Sequence, residues 1–591
     1  MTTTANATDA LGAEILRHAL RVAAEEASIV VVRSAHSTMI VEGADACSAL
    51  LDASGRLVSL STATNLMHAS SLRSSLPALI EDHPLDTMRA GDVFVMNDVF
   101  RGGIHANDLL VFRPVFAPPA PGADPVVHWF AGTLIHVVDL GGVSAGGIAA
   151  TATDVFAEGL QLPPVRLYAA GAPVPDMQRL LALNSRLPHR VMGDVEALVA
   201  GVNVLAARTD ALIERYGVAT LQAGIDAYLD STERRTRADL ARLPAGVYHG
   251  EYVIDNDGID LERALIVRVT VTVGDGTTAD GTITLDFAGT DDQVLGAVNA
   301  GFSQALTGVH YAVRCFVDPT IPMNEGCFAP VTVRLPYGSL VNPKPPSACG
   351  GRVVSVCAAV EAILEALARA VPERAVAAST VIHPYTVSGR GPDGTPFVLL
   401  SYEFGGIGGR HGVDGPDATG AFFLGGRNTV PQVEAIEATM PLRFERQGYA
   451  IDSGGPGRWR GGAGVETRIR VLGDGEIAVR SERVRIAPRG RNGGRDGVGG
   501  SQYLERGDVV APVPAKAVGV PVRAGEVFVL TTSGGGGLGD PFTREPDAVA
   551  ADVAARKVSR DAAARDYGVV LTASGDVDVE ATARVRRGGE Q

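Results

Sequence analysis

Hydrophobic positions along the chain change period several times, and each change marks an element. Leu11, Ile15, Leu16 and Leu20 recur at helical spacing and predict an opening amphipathic helix. Residues 49–61, ALLDASGRLVSLS, alternate around Ser54-Gly55 and predict a hairpin. Residues 72–84 read as a helix ended by Pro84. Three apolar runs with strand character follow, at 92–97, 108–116 and 126–140. The APPAPGADP segment between the last two cannot continue a strand. Helical periodicity returns over 175–240 and alternation over 247–300. A clear helix spans 353–370 and stops before Pro372. Beyond it the chain is glycine-rich and β-leaning, closing on a glycine loop and one or two short helices. No internal repeat is visible.

This order predicts an α+β fold, a glycine-rich multi-layer body with mixed or antiparallel sheets and packed helices. Three portions are expected: an N-terminal α/β portion over 1–245, a central α/β portion over 246–390, and a β-rich C-terminal portion over 391–591 with the terminal helices.

Composition narrows the function classes. The chain has 591 residues, 46% of them hydrophobic and 20% charged, as expected of a large buried core rather than a disordered chain. Its net charge of -15 offers no basic excess to meet phosphates, which argues against nucleic acid as a partner. Five cysteines, Cys47, Cys315, Cys327, Cys349 and Cys357, form no CxxC pair and no disulfide framework. The first residues lack the cationic start and apolar core of a signal peptide, and no run reaches membrane-helix length. A cytoplasmic location without a membrane is the expectation.

Candidate chemistry concentrates in RGGIHANDLLVF, residues 101–112. If 108–116 and 126–140 pair around the proline-rich loop, Phe116 faces Val126 and Asp108 faces Leu134. His105 then falls close to Val137, and His136 arrives beside both within the error of one bulge. Two imidazoles and a carboxylate are a common divalent-metal set that accepts Zn²⁺, Mn²⁺ or Fe²⁺. The plainer alternative is a strand-end polar pair, since His-x-x-Asp is a frequent spacing. Asp98 and Asp139 lie near enough in sequence to act as ligands or to orient the imidazoles. Glu325, in the NEGCF loop, is a candidate base; Cys327 beside it has no adjacent histidine to activate it and reads as a buried small residue. Arg352 and the arginines of 480–494 are able to meet anions bidentately, though most such arginines are solvated. The run SGGGGLGDP, 533–541, lacks the lysine of a phosphate loop and reads as a backbone turn ahead of a helix.

At these residues the chain resembles the hydantoinase B/oxoprolinase family. The resemblance rests on GDVFVMNDVFRGGIHANDLLVFRPVF, IHVVDLGGVSAGGIAATATDVFAEGLQLPPVRLY, DFAGTDDQVLGAVNAG, the segment CFVDPTIPMNEGCF with SACGGR beyond it, and the closing GGGGLGDPFTREPDAVAADV. It extends from about residue 9 to 572. The family groups the B-type subunits of ATP-dependent hydantoinases with part of the 5-oxoprolinases and with the α subunit of acetone carboxylases. Where many relatives have a proline-containing turn this chain has NDVF, 97–100, and it has His136-Val137 where several carry paired histidines.

The resemblance implies a divalent metal on His105, Asp108 and His136. It implies a heteromer, such as (αβ)₂, with a hydantoinase A-type subunit of the actin-like ATPase class, ATP being bound by that partner. His36, His68 and Glu158 fall in matched segments and are expected to line the substrate pocket. The expected activity is ATP-dependent hydrolysis of a cyclic amide (hydantoin, 5-oxoproline or lactam), with Asp139 or Glu325 relaying protons. The alternatives are a subunit of an ATP-dependent ketone carboxylase and a non-catalytic scaffold for the ATPase.

Overall fold

The computed structural model describes residues 2–61, 66–117, 125–392, 394–419 and 429–588. They form an α+β architecture in two compact units, the first chiefly Met1–Val247 with Thr270–Arg352, the second chiefly Tyr248–Val269, Val353–Phe422 and Val430–Gln591. Among the described residues no helix is long and apolar enough to cross a membrane.

The first unit opens with α1 (Thr2–Ser34) and α2 (Thr38–Val41), then the hairpin β1 (Ala46–Asp52) and β2 (Leu57–Leu60). The hairpin turns where expected. Gly55 takes a positive φ of 89°, and the Asp52 carboxylate accepts from the amides of Ser54 and Arg56 at 3.0 and 2.9 Å. Helix α3 (Leu66–Asp82) starts earlier than the sequence pattern suggests and carries Pro77 inside it. Then come β3 (Val93–Met96), β4 (Asp108–Ala117), β5 (Val126–His136), β6 (Val165–Ala169) and β7 (Ala172–Pro173). Most of the proline-rich loop expected between β4 and β5, residues 118–124, lies outside the described residues. The 175–240 segment resolves into α4 (Pro175–Leu183), α5 (Pro188–Tyr216) and α6 (Val218–Leu240).

Strands β1–β7 make one antiparallel sheet in the order β2-β1-β5-β4-β3-β6-β7. Its central strands are buried on both sides, so they read as continuous apolar runs rather than alternating ones. One side, carrying Leu109, Val111, Trp129, Ala131 and Ile135, packs on Leu16, Leu20, Ala27 and Val31 of α1 and on Val195, Leu198 and Val202 of α5. These α1 positions continue the helical period of the opening segment. Gly201 of α5 lets that helix lie close: a Cβ there would stand 2.4 Å from Val31 Cγ2 and 3.0 Å from Thr133 Cγ2. The other side meets α3, where a Cβ on Gly132 would stand 3.2 Å from Leu72 Cδ2.

Further along are β8 (Gly246–Ile254), β9 (Leu265–Val273), β10 (Ile283–Asp286), α7 (Phe302–Arg314), α8 (Glu325–Phe328) and β11 (Val331–Arg334). Strand β10 runs antiparallel to β9 and parallel to β11.

The second unit contains α9 (Val353–Ala370), which matches its expected bounds, then β12 (His383–Arg390), β13 (Pro396–Glu403) and α10 (Val433–Thr439). Strands β14 (Leu442–Tyr449), β15 (Val465–Val471), β16 (Gly475–Arg480), β17 (Ser501–Arg506), β18 (Val509–Pro512), β19 (Lys516–Val522) and β20 (Val527–Thr531) complete two sheets, β13-β12-β16-β19 and β14-β15-β20-β17-β18. They share one core in which Tyr385, Val387 and Ile477 meet Ile469, Leu504 and Phe528. The end carries three helices rather than one or two: α11 (Pro546–Ala554), α12 (Arg560–Tyr567) and α13 (Val579–Gly588).

The glycine run 534–537 is not a simple turn ahead of a helix. It is buried backbone threaded between other backbones. A Cβ on Gly534, Gly535, Gly536 or Gly537 would fall 1.9–2.2 Å from the carbonyl oxygens of Ser453, Ile407, Arg489 and Pro456. The amides of Gly535, Gly536 and Gly537 donate sideways to Gly462, Ala378 and Arg495 at 2.8–2.9 Å. Only residues without side chains permit this spacing, and the amides are satisfied by protein rather than free to cradle a phosphate.

Candidate metal centre

Asp108 opens β4 and His136 closes β5, and the two are direct partners across the ladder. Counting outward from the loop places Leu134 opposite Asp108 instead. The two-residue difference has two causes. Pairing extends one residue further, to Ala117 opposite Val126, and a bulge between Val115 and Phe116 adds another. His105 precedes β4 in a turn closed by the Asp108 amide donating to the His105 carbonyl at 3.0 Å.

The loop bearing His105 is fixed by buried asparagines that sequence reading did not single out. Asn97 Nδ2 donates to the carbonyls of Ala106 and Leu160 at 2.6 and 2.8 Å, and its Oδ1 accepts from Leu162. Asn107 Nδ2 donates to the Val137 carbonyl at 3.1 Å, while the Val137 amide donates back to Asn107 at 2.8 Å. These bonds carry the β4–β5 ladder beyond its last pair. At Gly103, adjacent to the site, a Cβ would strike the Asn97 carbonyl oxygen at 2.5 Å.

Three side chains therefore converge. His105 Nε2 is 3.1 Å from Asp108 Oδ2, His136 Nδ1 is 3.0 Å from Asp108 Oδ1, and the two ring nitrogens are 3.1 Å apart. All three residues are buried. Ligand atoms about 2.0–2.1 Å from one tetrahedral ion stand roughly 3.3 Å from each other. The two histidines meet different oxygens of Asp108, and one atom from each residue gives a set within 4.8 Å, a spacing a divalent cation would draw together. The protonation states suit it too. Burial, reinforced by the Arg352 charge, pushes His105 down to about 3, leaving a neutral imidazole at neutral pH. Burial alone would raise Asp108, yet its contacts with His105 and His136 hold the carboxyl well below the usual carboxylate range. Neutral imidazoles and an ionised carboxylate are the forms that donate lone pairs to a metal. His136 Nε2 is a second polar atom of the cluster, buried and without a hydrogen-bond partner among the described residues.

Around this set the remaining candidates divide. His68, on α3, is buried with Nε2 3.3 Å from Asp45 Oδ1, and Nδ1 has no partner among the described residues. Burial lowers its pKa; Asp45 and Asp108 act against that, while Arg352 and His136 add to it. Asp45 was missed by sequence reading. It precedes β1, and Ala46 pairs with Ile135, so one further step of that register takes Asp45 to the level of His136. Glu158 is buried and its Oε1 accepts from the Gly350 amide at 2.5 Å, fixing the SACGGR turn that carries Arg352. Arg352 Nη2 in turn donates to Asp108 Oδ2 at 3.3 Å.

Other candidates are bonded to groups outside the triad. His36 is exposed, and its amide donates to Asp194 of α5 at 2.7 Å. Asp139 is buried and accepts from the Arg186 amide at 2.6 Å and from its guanidinium at 2.9 Å. Glu325 is paired with Arg73, Nε to Oε2 at 2.6 Å, and accepts from the Leu57 amide. Asp98 caps the turn after it by accepting from Phe100. Burial pushes the Cys327 thiol up to about 11, which fits a packed residue rather than a nucleophile.

The chain is similar to known proteins over most of its length. The family model Hydantoinase B/oxoprolinase matches residues 9–541. A chain from a Pseudomonas species, provisionally named as the B-type subunit of a D-/L-hydantoinase, is 29% identical over 601 aligned positions, covering 98% of each chain. The crystal structure of an ATP-dependent caprolactamase from Pseudomonas jessenii superposes with a TM-score of 0.88 at 26% identity, over 98% of this chain and 99% of that one. The nucleotide-free structure of an acetone carboxylase superposes with a TM-score of 0.86 at 21% identity, over 98% and 83%, a likeness of fold.

Proposed function

Because the chain belongs to the hydantoinase B/oxoprolinase family, we propose that it is the metal-bearing, B-type component of an ATP-dependent amidohydrolase that opens a cyclic amide. Its partner is an A-type ATPase subunit that binds ATP and phosphorylates the amide oxygen. The observation that carries this reading is the convergence of His105, Asp108 and His136 at 3.0–3.1 Å in a buried corner. Relatives named as a hydantoinase component and as an ATP-dependent caprolactamase support the substrate class.

The chemistry explains the need for ATP. An unstrained amide is stabilised by C–N resonance and is a poor electrophile. Phosphorylation of its oxygen removes that resonance and activates the ring carbon. Water then adds at that carbon, and the C–N bond breaks as the nitrogen takes up a proton. This leaves an open-chain acyl phosphate, which a second water cleaves to carboxylate and inorganic phosphate. A divalent ion held by the triad supplies Lewis acidity that lowers the pKa of water beside it. Asp108 keeps its negative charge for this role because both imidazoles face it. His105 stays neutral because it is buried beside Arg352. Asp139 and Glu325 are each engaged by an arginine, which leaves them poorly suited to proton transfer. His68 is better placed: its Nε2 contact with Asp45 selects the tautomer whose Nδ1 accepts a proton.

The test is to co-purify the chain with its ATPase partner and assay ATP turnover against lactams, hydantoins, 5-oxoproline and ketones, with and without bicarbonate. The expected result is ring opening coupled to ADP formation and indifferent to bicarbonate. Stoichiometric consumption of bicarbonate with a ketone would replace this reading by a carboxylase. Unchanged activity in His105→Ala and Asp108→Ala, with assembly intact, would leave only a scaffold.

A further inference from the structure

We propose that Arg352 is the receptor for the phosphoryl group of the ATP-activated substrate, holding that anion beside the triad during ring opening; this rests on the reading above.

Arg352 is a buried cation that is poorly used by the protein. It is 7% exposed, with Nη2 at 3.3 Å from Asp108 Oδ2 and Nη1 at 3.4 Å from the Gly350 carbonyl, and Nε has no partner among the described residues. A guanidinium carries five N–H donors in a planar fork, and N–H···O bonds settle near 2.9 Å. Both of these contacts are long, so most of its donor capacity remains. Arg544, whose Nε is equally without a partner among the described residues, differs in its terminal nitrogens and shows what a structural buried arginine looks like in this chain. At 4% exposure it reaches Asp414 at 2.6 and 2.7 Å, Asp552 at 2.7 Å and the Arg458 carbonyl at 3.1 Å. Burying a charge with weak pairing is costly unless a ligand completes it.

The turn that presents Arg352 is held firmly. The Gly350 amide donates to Glu158 at 2.5 Å, the Gly351 amide donates to the Ala297 carbonyl at 2.6 Å, and a Cβ on Gly350 would stand 3.0 Å from Glu158 Oε1. Glu158 is thus a positioning residue for Arg352. The chemistry then identifies the ligand. A planar fork matches phosphate oxygens bidentately. An activated substrate would bring a phosphoryl anion into a chain of net charge -15, where a cation beside the reaction centre lowers the barrier to its approach. The phosphoryl group stays on the former amide oxygen through C–N cleavage and leaves as inorganic phosphate when the acyl phosphate is hydrolysed. One cation at this position would serve both the bound intermediate and the departing product.

The experiment uses Arg352→Lys, Arg352→Gln and Glu158→Gln in the intact complex. Metal content by mass spectrometry is expected to stay within twofold of wild type. Inorganic phosphate, titrated calorimetrically into the metal-loaded complex without nucleotide, is expected to bind wild type and to lose tenfold or more in affinity in Arg352→Gln, with Arg352→Lys intermediate. In turnover, ADP is expected to form while ring opening falls a hundredfold, so the ADP-to-product ratio rises. Phosphate binding unchanged in Arg352→Gln, or absent in wild type, overturns the proposal. Loss of the metal in Arg352→Gln also overturns it, making Arg352 a support for Asp108 alone. A wild-type complex that binds phosphate through Arg352 but opens no cyclic amide would keep the anion site and sink the hydrolase reading.

Discussion

Single residues at the site fall into those that face one another and those that hold them there. His105, Asp108 and His136 are the first kind, and removing one leaves two donors for an ion that needs at least three protein ligands. His105→Ala and Asp108→Asn are expected to lower bound metal from near one per chain to below a tenth, and ring opening at least a hundredfold. Metal analysis and size-exclusion chromatography of the complex check this together. Asp139 is neither: it accepts from Arg186 and Gly146. Buried and bonded to Arg186 on α5's approach, it is expected to behave structurally: Asp139→Asn should lower stability by about 2 kcal/mol while metal content is kept. Thermal denaturation beside metal analysis reads both. The triad was legible in sequence because His-x-x-Asp sits at a strand start and His136 lies in the next apolar run, which pairs back on it. Asp45 was not, because its adjacency to His136 comes from β1 pairing on the far side of β5.

At the scale of elements, close approach decides more than propensity. Helix α9 was recognisable over its full length because an apolar run ended by proline has one reading. The hairpin register was not, since a bulge leaves no mark in an apolar strand. Glycines make sharper predictions. Gly201→Val places methyl groups into Val31 and Thr133 and is expected to cost about 1–3 kcal/mol, seen as a lowered unfolding midpoint. Gly406→Ala is expected to be far worse, because its Cβ would lie 1.8 Å from the Gly462 carbonyl oxygen, a backbone atom with no rotamer to yield. Soluble yield and proteolytic resistance of the two variants test that ranking.

At the scale of the whole molecule, pH acts through a buried carboxyl in the second unit. Burial pushes Glu361 up to about 7, opposed by Arg483 and by the Ser379 amide that it accepts from. The folded chain therefore keeps a proton that the unfolded chain loses near 4.5. This contribution to stability is full below that value and lost as pH rises through about 7. Glu361→Gln, which keeps an acceptor for Ser379, is expected to gain on wild type between pH 5 and pH 8, by up to about 3 kcal/mol. Unfolding midpoints that shift equally at both pH values would refute it. The sequence by itself determined the α+β class, the main elements, the family, and which histidines and carboxylate stand at the ends of neighbouring strands, since hydrophobic period and residue order are local properties. Tertiary structure alone decided that Asp108 faces His136, that Asp45, His68 and Arg352 join them, and that the glycine run is packed backbone. Those facts depend on bulges, flanking strands and the spacing between backbones, which arise only when segments distant in sequence come within a few ångströms.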